Sequence, residues 1–491
     1  MNHQQLKRRE EKRNIVTIQQ GLMAVELCAY NGALELSLKD VLAVIKPVEE
    51  DVLTRARVIR DFRDAVVSMP SLKDATVEPF GSFVSNLYTR CGDLDISVEV
   101  PNGFIISETK KKHKHKFLKD IRRALQLREL ARNIQFIPGA RVPLLVFQSN
   151  HRNISCDISI GNLSGLIKSK FLLWLTEIDE RFRDMVLLVK EWAKSQNIND
   201  PKSGTLNSYS LTLLVIFHFQ TCKPAILPPL YEIYDGNITS DLKGERLDAE
   251  KSIQDICSAN IARFKSSLRN ANRSSLSELF LSFFDKFSQI NQQFALCTYT
   301  GQWEHTRIKI RWANKDYSLL VIEDPLEHSE NTARAVSDNG YMRICRAFGV
   351  TSHNLRTNQD RVSLITSVVR PQIKSLCISR SAGGIPSVLP QISGFETHPS
   401  QNNYLGRPVT TVPVNQYQLN TGFDTRSSQN RYSPRLATNV PENQNQRQNM
   451  GIETQTPVNY SRSLTSTINP QQATSSQDQQ QWRPKNFNRW E

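Results

Sequence analysis

Two short stretches of the sequence decide the fold: residues 79–83 read Pro-Phe-Gly-Ser-Phe, and residues 92–96 read Gly-Asp-Leu-Asp-Ile. Asp93 and Asp95 are two positions apart, and on a strand this spacing puts both carboxylates on one face. Two carboxylates that face the same way repel each other unless a cation lies between them. Hard divalent ions such as Mg²⁺ prefer such oxygen ligands, so the pair predicts a metal site.

A third acid fits the same site. Asp157 is the one charged residue in the segment 153–160, Asn-Ile-Ser-Cys-Asp-Ile-Ser-Ile, which also has the pattern of a strand. Three carboxylates from two neighbouring strands can hold two metal ions, of which one activates a 3′-hydroxyl and the other binds the triphosphate and the leaving oxygen. We assign Asp157 to the ion that activates the hydroxyl.

Gly81 and Ser82 stand about ten residues before the acid pair. The segment 83–88 could start a helix, and a Gly-Ser at a helix N-terminus offers backbone N–H groups and a hydroxyl to phosphate. Each motif alone is common in proteins without such a site. Their combination, in this order and spacing, predicts a catalytic site.

With these motifs the chain resembles the noncanonical poly(A) polymerases and terminal uridylyltransferases of the DNA polymerase β superfamily. Within them it is most similar to the plant terminal uridylyltransferases that tail unmethylated small RNAs, and the resemblance runs from about residue 20 to residue 355. It implies an α+β fold, in which a polymerase-β-like nucleotidyltransferase domain packs against a helical poly(A)-polymerase-associated domain. The implied activity is template-independent transfer of uridylate from UTP to the 3′ end of small RNAs, with Mg²⁺ or Mn²⁺ as cofactor. Such tails mark the RNAs for decay, a step of microRNA turnover and RNA-mediated gene silencing.

The resemblance also indicates which residues hold the nucleotide. Segment 186–194 resembles the family helix that grips the triphosphate, and its Lys190 and Lys194 are four apart, hence on one helical face. In the family a Ser-Tyr pair contacts phosphate and stacks on the base, and here these residues are Ser208 and Tyr209. An aromatic ring with a polar tip suits this stacking.

Further matches concern the ribose and the base. Asn162 and Ser169 match the positions that contact the ribose 2′-hydroxyl, although threonine is commoner at the second, and Asp324 and Glu327 match two acids that work around the base. In uridylyltransferase relatives a His three residues after this Glu helps to select uracil, and here that position is Glu330. Two specificities therefore stay open: UTP, which the whole-chain resemblance favours, and ATP, as in a poly(A) polymerase.

Two other classes of protein compete with a polymerase. One is an RNA- or Argonaute-binding scaffold with a silent site, and the presence of all three acids argues against it. The other is a polymerase-β relative that transfers nucleotides to a protein or a small molecule. The matches in the helical domain and a basic run inside the catalytic domain argue against that class.

The pattern along the chain predicts five parts. Apolar residues are frequent until about residue 372, after which Gln, Asn, Ser, Thr and Pro dominate, and such a segment buries too little apolar area to fold. The predicted parts are 1–13, a basic lead-in; 14–50, N-terminal helices that pack on the central helical domain; 51–162, the catalytic domain; 163–355, the helical domain; and 372–491, a disordered tail.

Charge and hydropathy indicate the partners and the compartment. The net charge of +14 favours an anionic partner, and the run 110–132 holds ten Lys or Arg against two acids. We expect this run to be a helix whose Lys110, Lys111, Lys112 and Lys114 guide the RNA 3′ end. The family resemblance implicates the tail in binding Argonaute, the small-RNA carrier.

The sequence shows no secretory signal and no apolar run long enough to span a bilayer, so we expect no membrane partner. An intracellular protein of the cytoplasm or the nucleus, or of both, is expected. None of the eight cysteines forms a Cys-x-x-Cys pair, which favours reduced core thiols over a zinc site.

Overall fold

The chain divides into two parts with separate hydrophobic cores. The computed structural model describes residues 32–100, 111–242, 246–267, 271–305, 319–328, 330–358 and 360–381. Both parts belong to one unit within Met1–Pro399. The basic lead-in, residues 14–31 of the predicted N-terminal helices and most of the predicted tail lie outside the described residues.

A five-stranded sheet forms the first part, with the strand order β1-β2-β5-β4-β3. The strands are β1 (Thr76–Phe80), β2 (Leu94–Glu99), β3 (Ala131–Ile137), β4 (Leu144–Ser149) and β5 (Ser155–Ile160). β2 and β5 pair in parallel, and all other neighbours pair antiparallel. The two strands that carry the predicted acids are therefore adjacent, near the middle of the sheet.

The two faces of this sheet differ in chemistry. Ile96 and Val98 of β2 and Ile158 of β5 share a core with apolar residues of two helices, Glu49–Val67 and Lys111–Leu127. Successive side chains of a strand point to opposite faces, so Asp95 and Asp157 point away from these helices. One sheet can thus hold a hydrophobic core on one side and carboxylates on the other.

The helical part is assembled from chain on both sides of the sheet domain. Residues 32–45 form helix α1, whose Leu34, Leu38 and Val41 lie in the same core as helices that follow residue 163. Among the described residues no helix is both long and apolar enough to cross a membrane. In chain order the other helices are α2 (Glu49–Val67), α3 (Gly81–Val84), α4 (Lys111–Leu127), α5 (Leu163–Thr176), α6 (Glu180–Ser195), α7 (Ser208–Thr221), α8 (Ile238–Asp241), α9 (Arg246–Ser267), α10 (Leu276–Phe287), α11 (Asp338–Thr357), α12 (Arg361–Val368) and α13 (Pro371–Ser381).

Side-chain caps fix where the helices next to the predicted site begin. Asn162 precedes α5 and accepts from the N–H of Gly165 at 3.2 Å, and Asn207 precedes α7 and accepts from the N–H of Ser210 at 2.7 Å. Asp179 caps α6 in the same way. A cap of this kind stabilises a helix by about 1 kcal/mol. Three of the helices predicted to bind the nucleotide thus start at residues suited to starting them.

A small second sheet lies inside the helical part. Its strands β6 (Phe294–Cys297), β7 (Gln302–His305) and β8 (Val321–Glu323) have the order β7-β6-β8. Strands of three or four residues are too short for an alternating pattern to be recognised, which is why the sequence did not predict them. β8 matters for the site because it ends immediately before Asp324.

Two predicted boundaries were wrong. The basic run expected to be helical over 110–132 ends its helix at Leu127, and β3 begins at Ala131. β3 is an edge strand with several exposed polar residues, so it lacks the apolar alternation of an inner strand. The tail expected from residue 372 begins with helix α13, because Ile373 and Cys377, four apart on one helical face, are buried in the core of the helical part. That part therefore extends beyond residue 355.

Candidate active site

The three predicted acids meet at one end of the two central strands. Asp95 and Asp157 are direct partners across the parallel pair of β2 and β5. Neighbouring strands lie about 4.8 Å apart, so the two carboxyl groups are close. Asp93 is exposed, stands just before β2, and acts electrostatically on both other acids.

Mutual repulsion and burial change the protonation of these acids. Burial raises the pKa of Asp95 to about 8, and the charges of Asp157 and Asp93 add to the rise, while Lys190 and the N–H of Ser82 oppose it. Burial, with the charge of Asp93, raises the pKa of Asp157 to about 6. A divalent cation relieves this kind of repulsion. The donor set, Asp95 paired with Asp157 and Asp93 near both, therefore has the oxygen chemistry that a hard divalent metal ion prefers.

The Gly-Ser turn lies directly against one of the acids. Gly81 has φ +68°, and a Cβ atom added there would meet Asp95 Oδ2 at 1.9 Å. Both the backbone conformation and the close approach require glycine at this position. The N–H of Ser82 donates to the Asp95 carboxylate, so the turn predicted to bind phosphate borders the predicted metal site.

Ser169 and Asn162, which the resemblance places at the ribose, lie beside this turn. Ser169 is 3% exposed; its hydroxyl accepts from the N–H of Gly81 at 2.7 Å and donates to Gly165 O at 2.6 Å. The N–H of Asn162 donates to Ser97 Oγ at 2.9 Å, while its side chain caps α5. Ser169 therefore ties α5 to the Gly-Ser turn, and Asn162 ties the start of α5 to β2. The contact of both residues with ribose stays a prediction.

The two lysines predicted to bind triphosphate lie one turn apart on α6. Lys190 is buried, and its Nζ donates to Leu87 O at 2.9 Å, just after the Gly-Ser turn. Burial and the charge of Lys194 lower the pKa of Lys190 to about 7, and Asp95 opposes this shift. Lys194 is half-buried. The pair forms a cationic face next to the acids, which suits a triphosphate.

Ser208 is the exposed first residue of α7. The Nδ2 group of Asn199 donates to its Oγ at 3.2 Å. A helix N-terminus presents free N–H groups and a partial positive charge, both of which attract phosphate. The position of Ser208 agrees with the phosphate contact that the resemblance implies.

A second polar cluster forms where α5, α7 and the turn after β8 meet. Lys168 Nζ lies 2.5 Å from Asp324 Oδ2 and 3.2 Å from Glu327 Oε2. The Tyr209 hydroxyl donates to Asp324 Oδ1 at 3.3 Å, and Lys168 Nζ lies 5.5 Å from the centroid of the Tyr209 ring. Ser164 donates to Glu327. The residues predicted to surround the base are thus in contact with one another.

Lys168 organises this cluster, and the sequence did not single it out. Burial alone would raise the pKa of Glu327, but Lys168 and the Ser164 hydroxyl lower it. Burial and Asp324 raise the pKa of Tyr209 well above its usual range, so its hydroxyl stays protonated. The one available signal was spacing, since Ser164 and Lys168 are four apart and share a face of α5.

A buried arginine, also missed in the sequence, holds the loop that carries Asp93. Arg55 of α2 is 1% exposed, and its Nη2 donates to Gly92 O at 2.6 Å and to Arg90 O at 3.1 Å. Its guanidinium carbon lies 4.7 Å from the centroid of the Tyr88 ring. These contacts fix the backbone immediately before the first acid.

Among the described residues, one group of three acids or thiols has possible ligand atoms that all lie within 4.8 Å of one another: Cys297, Glu304 and Glu323, which are buried in the second sheet. Burial and Glu323 raise the pKa of the Cys297 thiol to about 12. Cys297 Sγ accepts from the N–H of Thr300 at 3.5 Å, and Glu304 accepts from the Thr300 hydroxyl at 3.2 Å. These side chains therefore have partners within the protein, and we assign no metal to this group.

Comparison with known proteins identifies relatives of this chain. A family model described as the central palm domain of mitochondrial-like poly(A) RNA polymerase matches residues 34–176, which include the three acids and the Gly-Ser turn. Protein HESO1 of Arabidopsis thaliana is 54% identical over 339 residues, 68% of this chain and 66% of that protein. Terminal uridylyltransferase cid1 of Schizosaccharomyces pombe is 29% identical over 315 residues, 58% of this chain and 70% of that protein. The poly(A) RNA polymerase GLD2 of Homo sapiens is 27% identical over 239 residues, 46% of this chain and 44% of that protein. The chain thus spans just under two thirds of the length of HESO1 and less than half of GLD2.

Solved structures agree in fold with this chain. A crystal structure of the Cid1 poly(U) polymerase with bound MgGTP has a TM-score of 0.53 and 25% identity, and the match covers 67% of this chain and 98% of that one. A histidine-to-asparagine variant of Cid1 with bound MgATP has a TM-score of 0.53 and 26% identity over the same fractions. Sequence similarity and similarity of fold thus point to the same relatives. The chain belongs to the polymerase-β-like family of noncanonical poly(A) polymerases and terminal uridylyltransferases.

Proposed function

We propose that the protein is a template-independent RNA nucleotidyltransferase that adds uridylates from UTP to an RNA 3′ end. The observation that carries this proposal is the parallel register of β2 and β5, which places Asp95 beside Asp157 with Asp93 next to them. The uridylate specificity is supported by the similarity to terminal uridylyltransferase cid1 and to structures of the Cid1 poly(U) polymerase. Small RNAs, whose tails would mark them for decay, are the proposed substrates.

Each part of the site has a role in this reaction. The three acids would hold Mg²⁺ or Mn²⁺, which when bound supplies the positive charge that activates the attacking hydroxyl and stabilises the leaving pyrophosphate. Asp157 would serve the ion at the RNA 3′ end. Lys190 and Lys194 would bind the triphosphate, and Tyr209 would stack on the base. The rate enhancement would come from positioning and electrostatics rather than from a covalent intermediate.

Addition of adenylates is the second candidate function. Glu330 stands where uracil-selecting relatives have His, and the poly(A) RNA polymerase GLD2 is also a relative. A silent scaffold is less well supported, because the acids, the glycine turn and the lysines all keep the geometry that a working site needs.

We place RNA contacts on the face of α2 and α4 that is turned away from the sheet. α4 packs behind the sheet, opposite Asp95 and Asp157, so it would bind RNA upstream of the 3′ end and not guide the 3′ end itself. Of the lysines predicted for that role, Lys112 is exposed and Lys114 is half-buried, with its pKa lowered by burial. The side chains of Lys110 and Lys111 lie outside the described residues.

Eight exposed cations lie on this face, and within the described chain none of them makes an ion pair. They come from two neighbouring helices that pack on the same core. Such a surface attracts a phosphate backbone without reading its sequence. The cations are Arg57, Arg60 and Arg63 of α2 and Lys112, Lys116, Lys119, Arg122 and Arg123 of α4.

The partner and the compartment are proposals from the family resemblance. We propose that the Gln/Asn/Ser-rich segment after residue 381 binds Argonaute and that the protein acts in the cytoplasm, in the nucleus or in both. Aromatic residues in a polar segment, here Trp482 and Trp490, can insert into pockets of a partner.

The first prediction concerns catalysis. Asn in place of Asp93, Asp95 or Asp157 should lower the rate of RNA extension by more than roughly 100-fold. Replacement of a residue that only supports a metal ligand lowers activity by roughly 10- to 100-fold. Purified protein is incubated with labelled single-stranded RNA, Mg²⁺ or Mn²⁺, and each nucleoside triphosphate separately. Asp74→Asn, an exposed acid of the same domain, is the control and should extend RNA normally. Extension chiefly with UTP is expected; chief use of ATP would indicate a poly(A) polymerase, and full activity in any of the three variants would refute the metal assignment.

The second prediction concerns pH and metal removal. Some carboxyl groups have a higher pKa in the folded protein than in the unfolded chain. Such a group contributes fully to the stability of the folded protein only below its unfolded pKa of about 4, and this contribution is lost as the pH rises. The loss should extend to a pH of about 6 for Asp157 and about 8 for Asp95. In EDTA the Tm should therefore fall across this range, and less steeply for Asp95→Asn. Mn²⁺ should raise the wild-type Tm most at the upper end of the range, because metal competes with protons. A rise that is the same at every pH and in both proteins would contradict this assignment.

The third prediction concerns the basic face. The double change Lys116→Glu and Arg123→Glu should weaken RNA binding and leave UTP binding unchanged. For each phosphate that the variant no longer neutralises, the slope of log K against log salt should decrease in magnitude by about 0.7 for single-stranded RNA. The matched control is Lys251→Glu with Arg263→Glu, two exposed cations of α9 with the same change in charge. Equal losses of affinity in both double variants would indicate a general effect of net charge and no RNA-binding surface on α2 and α4.

The fourth prediction concerns the tail. Full-length protein should co-purify with Argonaute from cells, and protein that ends at residue 381 should not, while both extend RNA equally in a purified assay. Equal recovery of Argonaute would rule out the tail as its binding segment. Imaging of the full-length protein in the same cells would test the proposed compartments.

A further inference from the structure

The base-selecting position of the site has a charge that conflicts with uracil. Glu330 lies in the same turn as Asp324 and Glu327, since its N–H donates to Glu327 O at 3.1 Å and its carbonyl accepts from the N–H of Asp324 at 2.9 Å. A carboxylate is an acceptor only. Uracil presents the O4 acceptor next to the N3–H donor on its pairing edge, whereas cytosine and adenine present an amino donor in place of O4. Opposite that position a carboxylate alone would favour the amino bases, which are the wrong bases for a uridylyltransferase.

The structure places an arginine from the opposite domain on this carboxylate. Arg141 belongs to the loop 138–143 between β3 and β4 of the sheet domain, and its Nη1 donates to Glu330 Oε2 at 3.2 Å. Arg334, four residues after Glu330, donates to the same oxygen at 3.1 Å and also to Asn331 O. Arg141 thus contacts the base-binding turn, residues 324–330, from the sheet domain. Arg334 comes from the segment that directly follows this turn.

Charge and exposure suit Arg141 to a contact with a ligand. Three acids of the base cluster, Asp324, Glu327 and Glu330, face three cations, Lys168, Arg141 and Arg334, so the cluster is neutral overall. The Arg141 side chain is 58% exposed. A guanidinium has five N–H donors in a planar fork, and one of them is engaged at Glu330. Other donors are left for a ligand.

We propose that Arg141, oriented by Glu330, donates to the 4-oxo group of the incoming base and replaces the histidine of related uridylyltransferases. Arg141 is then the specificity-determining residue, and Glu330 is the residue that positions it. This inference rests on the proposed nucleotidyltransferase function. The proposal predicts a pattern that selection by base size would not produce. A base with a carbonyl should be favoured over one with an amino group both among pyrimidines, UTP over CTP, and among purines, GTP over ATP.

The test compares kcat/KM for the four nucleoside triphosphates on one RNA primer. Arg141→Ala should lower the ratio of UTP to CTP by about 10- to 100-fold, the discrimination of a good side-chain contact to a base. The loss should fall on KM for UTP, with KM for RNA unchanged. Arg141→Lys, which keeps a donor and the charge, should recover part of the ratio. Glu330→Gln should reduce the ratio less than Arg141→Ala, because a neutral amide can still accept from the guanidinium.

Arg346→Ala, which removes an exposed guanidinium of α11 outside the base cluster, is the control and should keep the ratio within about 2-fold. Arg334→Ala removes the other guanidinium from the Glu330 carboxylate and should change the ratio less than Arg141→Ala. The Tm of all these alanine variants should stay near that of the wild type because exposed ion pairs contribute little. An unchanged ratio in Arg141→Ala, a decrease caused by Arg334→Ala instead, or a wild type that prefers ATP or CTP would overturn the inference and leave nucleotidyl transfer standing. A wild type that extends RNA with none of the four triphosphates would instead remove the proposed function.

Discussion

The site depends on one constraint: two carboxylates are held side by side by the backbone register of parallel strands. Asp95 and Asp157 cannot move apart without breaking the pairing of β2 and β5. Gly81 bounds the Asp95 carboxylate on another side. Its backbone lies so close that any Cβ atom at this position would collide with that carboxylate. The fold thus holds negative charge in a place from which it cannot relax. A divalent cation bound there would lower the energy of this arrangement. Metal binding and the stability of the folded site are therefore linked.

The surrounding elements keep this arrangement rigid from several directions. Arg55 fixes the carbonyls just before Asp93, and the same loop is held by Arg90, whose Nε donates to Asp51 Oδ2 at 2.8 Å. On the other side Ser169 ties the Gly81 turn to α5. A buried ion pair joins α6 to the C-terminal helices, where Arg370 donates to both carboxylate oxygens of Glu191. Because Glu191 follows Lys190 on α6, packing of the C-terminal helices bears on the position of Lys190 and of Lys194, one turn later.

The sequence predicted those features that depend on short-range periodicity. The two-residue spacing of Asp93 and Asp95 and the lone acid of segment 153–160 implied one shared face, and the register of β2 and β5 agrees with it. In the structure Ser208 and Tyr209 begin α7, which Asn207 caps. The family resemblance, and not periodicity, indicated their roles at the nucleotide. Confirmed predictions also include the α+β fold and the family.

Features that depend on long-range contacts could not be predicted. Lys168 and Arg55 gain their importance from partners more than thirty residues away in sequence. The only local signal is the four-residue spacing of Ser164 and Lys168, which does not reveal the acids that Lys168 contacts. The basic helix could be recognised as basic, but the side of the sheet on which it packs is decided by the positions of Leu118 and Ile121 in the core. Likewise, Glu330 is a simple departure from the family in the sequence, and only the fold brings Arg141 to its carboxylate.

Protonation couples the two ends of the triphosphate site. Burial raises the pKa of Asp95 to about 8 and lowers that of Lys190 to about 7, and each of these two groups opposes the shift of the other. Without ligands, near neutral pH, the acid therefore tends to hold its proton and the lysine tends to lose one. A metal ion favours the ionised acid, and a triphosphate favours the charged lysine. Because the ionised form of each group favours the charged form of the other, a metal ion at Asp95 and a triphosphate at Lys190 would each favour the protonation state that suits the other ligand.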